Sequence, residues 1–160
     1  MLVALLIFLL LSSGCASTAG LLSSRPLTPQ LDIQTSPAFE KALRAGNDTH
    51  KLEAARIEYL LERIRLSPYN FIRNGSRHNG TRAWLHLKWK HFRIRKQVKT
   101  AEDFIQKVAS GSKASGNPYM IEFEDRKQVP LKTIFLNELR SFDQAVKDTV
   151  QSETPTTKTT

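Results

Sequence analysis

The sequence predicts an α+β fold, a predominantly helical single domain with a small antiparallel sheet. Three observations predict it. Apolar residues recur at helical spacing, as in Ile57, Leu60, Leu61 and Ile64. Asn74-Gly75, the strongest two-residue hairpin signal, separates two short strand-like runs, which places one hairpin near 70–78. Tyr119-Met120-Ile121-Glu122-Phe123 reads as a further strand near 119–123. A chain of 160 residues with 40% hydrophobic content holds one folded domain plus tails.

Each element has a local reason. Ser36-Pro37 supplies an N-cap and a first helical residue for the segment AFEKALRA, which Gly46-Asn47-Asp48 interrupts. A second helix starts at Asp48 or Thr49 and carries the stripe ending at Ile64. Ser67-Pro68 stops it, because proline cannot continue the hydrogen-bond ladder. Asn70 to Arg73 and Ser76 to His78 are the hairpin strands. A third helix then runs from Arg82 to about Arg95, capped by Thr81 or Asn79. Its apolar residues fall in two arcs, Leu85, Trp89 and Phe92, and Ala83, Leu87 and Ile94, with basic residues between. Two arcs predict a helix buried on both sides, with Trp84 and Trp89 in the core, and argue against a helix lying on a membrane.

Thr100 caps the next helix, with Glu102 and Asp103 favoured in its first turn by the helix dipole. Phe104, Ile105 and Val108 are its core contacts. Loops rich in Ser and Gly follow, then the strand, then a turn over Glu124 to Lys127. A last helix from Leu131 to about Val146 turns Ile134, Phe135, Leu139 and Phe142 inward.

The ends read differently. Leu2 to Leu11 is an apolar run of signal-peptide length, about half that of a membrane span. Next comes LLLSSGCAS, which resembles a bacterial lipoprotein cleavage site, with Gly14 and Ser13 before Cys15. Cys15 is the only cysteine, so no intramolecular disulfide and no thiolate metal cluster is available, whereas a thiol for acylation is. Cleavage after Ala16 or Ala19, discarding Cys15, is the competing expectation. The expected organisation is a signal peptide over 1–14, a lipidated Cys15 with a flexible tether over 15–35, a globular domain over 36–148 and a disordered tail over 149–160. The expected address is the periplasm, with a lipid anchor in the outer membrane. Sequons begin at Asn47, Asn74 and Asn79. In a bacterial chain these are turn and cap residues.

Charge is concentrated. The net charge is +9, yet Arg63 to Lys99 holds eleven of the 24 basic residues and none of the 15 acids. Arg77, Arg82, Lys88, Arg93, Arg95, Lys96 and Lys99 form the expected basic surface. A solvated structural face is one reading of it. Association with an anionic envelope polymer, lipopolysaccharide phosphates or acidic lipid is a second, and an acidic protein partner is a third. The composition also fits nucleic acid, but an export signal puts the chain in the wrong compartment.

Four motifs in one order carry a resemblance: Phe71-x-Arg73-Asn74-Gly75, Ala83-x-x-His86-Leu87-x-x-Lys90, Thr100-Ala101-Glu102-Asp103-Phe104-Ile105 and Ser115-Gly116-x-Pro118-Tyr119. Together they resemble the YfeK-like family of small exported bacterial proteins, a domain of unknown function. Tyr69 stands where that family commonly has a cysteine. The resemblance implies a compact exported α+β domain and brings no catalytic residue, cofactor or metal.

Among the matched residues, Ala83, His86, Leu87 and Lys90 share one helical face, and Arg73 precedes the turn leading to that helix. A polar pocket of Arg73, His86, Lys90 and Tyr119 is the candidate ligand site, suited to a carboxylate or phosphate. The alternative is that His86 and Lys90 serve loop carbonyls or pair with Glu102. A hydrolase using His86, Asp103 and Ser112 or Ser115 has the residue types but no nucleophile-elbow motif. His78, His86 and His91 lack a regular metal spacing.

Overall fold

A computed structural model describes residues 25–153. The expected signal peptide, Cys15, the start of the tether and the end of the tail lie outside the described residues. The helices are α1 (Pro37–Ala45), α2 (Thr49–Leu66), α3 (Gly80–Ile94), α4 (Ala101–Phe104) and α5 (Leu131–Glu153). A 3-10 turn, Arg95–Gln97, follows α3, and a π-helical turn, Ile105–Ala109, continues α4. The strands β1 (Asn70–Arg73), β2 (Ser76–His78), β3 (Met120–Glu122) and β4 (Gln128–Pro130) form one antiparallel sheet in the order β2-β1-β3-β4. This is the α+β class the sequence predicts.

The caps are those the residue types favour. Ser36, Asp48, Asn79 and Thr100 each accept a backbone N–H in the first turn of the helix that follows. Asn74 and Gly75 both have positive φ, 50° and 78°, as the tight hairpin turn requires. The hairpin register pairs Phe71 with His78 and Arg73 with Ser76, and β1 pairs Phe71 with Ile121 of β3. The strand β4 was not expected. It is three residues ending in a proline, and it is visible only through pairs such as Ile121 with Val129.

The central helix is α2, which packs against α1, α3, α4 and α5. Tyr59, Leu60 and Ile64 are fully buried there, with Phe104, Ile134, Phe135 and Phe142 facing them from α4 and α5. The Phe142 ring lies 4.4 Å from Tyr59 and meets Phe39 edge-on at 6.0 Å. At the start of α3, a Cβ on Gly80 would stand 2.2 Å from the Ile64 carbonyl oxygen, so only glycine lets the two helices approach this closely. Tyr69 packs edge-on against Phe123 at 4.7 Å.

Both ends of the folded body extend past the expected limits. Residues 25–35, assigned to the tether, are fastened to the body at Leu27 and Thr28, which are buried: Leu27 is 0% exposed and its N–H bonds the Glu138 carboxylate. The composition of this segment conceals that one leucine fills a hole in the core. At the other end α5 continues to Glu153. The helix α3 also departs from its expected burial. Leu87 is buried and Ala83 and Ile94 pack against the core, but Leu85, Trp89 and Phe92 are 54%, 56% and 65% exposed. One arc of α3 is covered; the other faces outward. Among the described residues no helix is long and apolar enough to cross a membrane.

Candidate functional site

Three segments build the site. The strand β1 ends at Arg73, α3 presents His86 and Lys90 one turn apart, and the chain entering β3 supplies Tyr119. Arg73 Nη1 lies 2.8 Å from His86 Nδ1, and His86 Nε2 lies 2.9 Å from the Tyr119 hydroxyl. Arginine can only donate, so Nδ1 is the acceptor and the neutral ring carries its proton on Nε2, which donates to the Tyr119 oxygen. One tautomer is thereby fixed. Among the described residues nothing accepts the Tyr119 phenolic proton in turn.

Lys90 completes the cluster in a different role. Its ammonium donates to the carbonyls of Val108 and Gly111, each at 2.6 Å, and stands 5.0 Å from the centre of the Tyr119 ring. Burial, then Lys113 nearby, lower its pKa to about 8. The four residues named from the sequence do meet. Lys90 is nevertheless engaged in closing the loop after the π turn, as the alternative reading expected. His86 does not pair with Glu102, which Arg56 holds instead.

Burial, then Arg73, Lys90 and His78, push the His86 pKa below the ordinary imidazole value. Burial does the same to His78, with Arg82 and Arg73 adding to it, and to His91. A folded pKa below the unfolded one means that the unfolded chain takes up protons first. Stability is therefore full above the unfolded pKa of about 6.5 and falls as pH drops through it. Thermal melts are expected to show Tm falling between about pH 7 and pH 5, above the range where carboxylates titrate. The dependence should be shallower in His86→Gln. A Tm that stays flat or rises over this window would contradict the neutral, hydrogen-bonded His86.

The basic surface is only partly as expected. Arg77 is engaged, with its guanidinium bidentate to Glu122 at 2.8 and 2.9 Å. That contact holds the Glu122 carboxyl down at about 2, chiefly through the hydrogen bond from Arg77. Cross-strand packing in the sheet, invisible in the charge pattern, brings the two together. Among the described residues Arg82, Lys88, Arg93, Arg95, Lys96 and Lys99 form no ion pair. Several rest on aromatic rings: Lys88 over Trp84 at 4.7 Å, Arg93 over Trp89 at 4.9 Å and Arg95 over Phe92 at 4.6 Å. The outward face of α3 is thus an apolar ridge edged by cations. Sequence reasoning missed the ridge, although the Leu85, Trp89, Phe92 spacing marked it as one face.

For acyl-transfer chemistry the parts are not assembled. Both ring nitrogens of His86 are engaged, by Arg73 and Tyr119, and neither meets a carboxylate. Asp103 accepts the Lys99 N–H and pairs with Lys107, while the Ser115 hydroxyl donates to Asn74. Among the described residues no three His, Cys, Asp or Glu side chains are placed to hold a metal ion.

The fold and this cluster define a small α+β domain with a cation-lined cleft and a basic, apolar-ridged helix. Residues 51–143 match the family described as "Family of unknown function (DUF5329)", more than half of the chain, and the chain belongs to that family. It is 41% identical over 78 residues to "Uncharacterized protein YfeK" of Salmonella typhimurium, a match covering 48% of this chain and 65% of that relative's length. No solved structure matches. Residues that carried the resemblance in the sequence, Arg73, Ala83, His86, Lys90 and Tyr119, come together at the clefts flanking α3.

Proposed function

We propose that the chain is an exported envelope lipoprotein, anchored in the outer membrane through an acylated Cys15 and facing the periplasm. There it serves as a binding or scaffold module, and the outward face of α3 engages an anionic envelope component or an acidic protein partner. One observation carries the binding role: among the described residues five cations without ion pairs, Lys88, Arg93, Arg95, Lys96 and Lys99, lie on α3 and the segment after it, where Leu85, Trp89 and Phe92 form an exposed ridge. A merely solvated face has no use for three large apolar side chains, whereas an anionic surface with apolar depth is matched by both features. The hydrophobic leader and Cys15 support the address, because a diacylated cysteine gives stable membrane attachment.

The test is co-sedimentation of the full chain with outer-membrane lipid vesicles and with peptidoglycan, at roughly 0.05 M and 0.5 M salt. Binding to at least one of them is expected to weaken severalfold at the higher salt. The combined Lys88→Gln, Arg93→Gln and Lys96→Gln variant should lose about as much at low salt. Binding that ignores both salt and these substitutions would refute the electrostatic role. Incorporation of labelled palmitate, lost in Cys15→Ser, tests the anchor separately.

A further inference from the structure

The hairpin β1–β2 and the first turns of α3 enclose a cleft of about 240 Å³, on the inner side of the helix and away from the ridge. Its walls are apolar, formed by Phe71, Ile72, Ala83, Leu87 and Leu131. Its polar lining is of one kind: Arg73, Arg82, His78, His86 and the Tyr119 hydroxyl, with no Asp or Glu. Such a lining has a sign and a shape, and both restrict the ligand.

The sign comes from the donors. Among the described residues Arg82 forms no ion pair, and the contact of Arg73 with His86 uses one of its two terminal nitrogens, leaving further N–H groups available. The Tyr119 oxygen accepts a hydrogen bond from His86 and keeps its own proton to donate. Two planar guanidiniums and a phenol suit the flat, two-oxygen acceptor of a carboxylate. The shape comes from the walls. A cavity of about 150 Å³ lined by aliphatic and aromatic side chains already accepts benzene. The present volume therefore admits a six-membered ring or a branched chain together with one carboxylate. It lies below the usual range for drug-sized ligands, about 300–1,000 Å³. A multiply charged, sugar-bearing ligand would leave its hydroxyls against Phe71 and Leu87 without partners.

We propose that this cleft is a binding site for a small monocarboxylate with an apolar body, the carboxylate held by Arg73, Arg82 and Tyr119 and the body seated on Phe71, Leu87 and Leu131. His86 is a positioning residue. By accepting from Arg73 and donating to Tyr119, it turns both groups toward the mouth and leaves the phenolic proton for the ligand. The site is distinct from the outward face of α3 and does not depend on it.

Titration of the full chain with sodium benzoate, followed by amide chemical shifts and calorimetry, tests this. Saturable binding is expected, with shifts centred on Phe71, Ala83 and Tyr119. Benzamide, which has the same shape without the charge, should bind at least tenfold more weakly. Arg73→Gln and Tyr119→Phe should each weaken benzoate severalfold or more. Ala83→Phe fills the cleft without altering any charge and should abolish binding; its thermal melt shows whether the fold persists, and Ala83→Leu serves in its place if it does not. The Lys88→Gln, Arg93→Gln, Lys96→Gln variant should bind benzoate like the parent, so the outcome is separable from that of the surface. The proposal is overturned if benzamide equals benzoate, if phenyl phosphate binds more tightly, if the filled variant still binds, or if nothing saturates at millimolar ligand.

Discussion

Replacing Glu138 with alanine is expected to destabilise the fold by about 3–5 kcal/mol, because it leaves two buried donors without their acceptor at about 1–3 kcal/mol each. The Glu138 side chain is buried in α5. One oxygen accepts the Leu27 N–H at 2.5 Å and the other accepts the Tyr59 hydroxyl at 2.8 Å. Arg63, only 3% exposed, stands 4.8 Å from the centre of the same Tyr59 ring and donates to the Leu31 carbonyl. Burial, reinforced by the Glu138 charge, pushes the Tyr59 pKa well above its ordinary value, so the phenol is a donor at every working pH. Without the carboxylate, a buried N–H, a buried hydroxyl and a buried guanidinium lose what satisfies or balances them. Urea melts give the magnitude. Hydrogen exchange adds a local signature, because the Leu27 amide should exchange much faster in Glu138→Ala than in the parent, while the core amides of α2 change less. Glu138→Gln keeps the shape and one acceptor and should cost about half as much. A loss under about 1 kcal/mol would mean that the N-terminal segment is not fastened through this residue.

Arg56→Met is expected to cost about 2–4 kcal/mol at neutral pH, and less in acid. The Arg56 side chain is 11% exposed and gathers three carboxylates from three helices: Glu53 at 2.7 Å, Glu102 at 2.6 Å and Asp143 at 2.7 Å. Glu53 also accepts the Ala101 N–H at the start of α4. Methionine retains the apolar stem and leaves three negative charges facing one another. Burial works to raise the Glu102 carboxyl, but hydrogen bonds led by the Arg56 guanidinium overcome it and hold the group below the ordinary range. A depressed carboxylate contributes stability above its unfolded pKa and loses it as pH falls. The difference between parent and variant should therefore shrink as pH falls from about 7 toward 4, the carboxylates being neutralised on both sides of the comparison. Chemical melts at several pH values measure this. A difference independent of pH would assign the loss to packing rather than to charge.

Much of the secondary structure was legible because its causes are local. Ser36, Asp48 and Thr100 cap helices through hydroxyls and a carboxylate that reach only two or three residues along the chain. Asn74-Gly75 makes its turn through its own φ angles, and Ile57, Leu60 and Ile64 are buried at the spacing that announced them. The strand β4 was not legible, since three residues ending in Pro130 carry no period of their own and exist as a strand through pairing with β3. The candidate site was legible as a set of residues and not as an arrangement. The spacing of His86 and Lys90 placed them on one face, but nothing in it told that Arg73 would fix the imidazole tautomer or that Lys90 would serve Val108 and Gly111.

The helices, the hairpin, the apolar run ahead of the single cysteine and the acid-free basic segment can all be read from the chain's residues alone. Each of these follows from residues within a few positions of one another. Which charges are left over depends on contacts between segments far apart in the chain. Folding gave Glu122 to Arg77 across 45 positions and Glu138 to Leu27 across 111, and among the described residues it left Arg82 and Lys88 without ion pairs. It also decided that one apolar arc of α3 enters the core while the other stays in solvent. Helical period reveals that an apolar face exists. Whether anything packs against it depends on the elements that arrive from elsewhere in the chain.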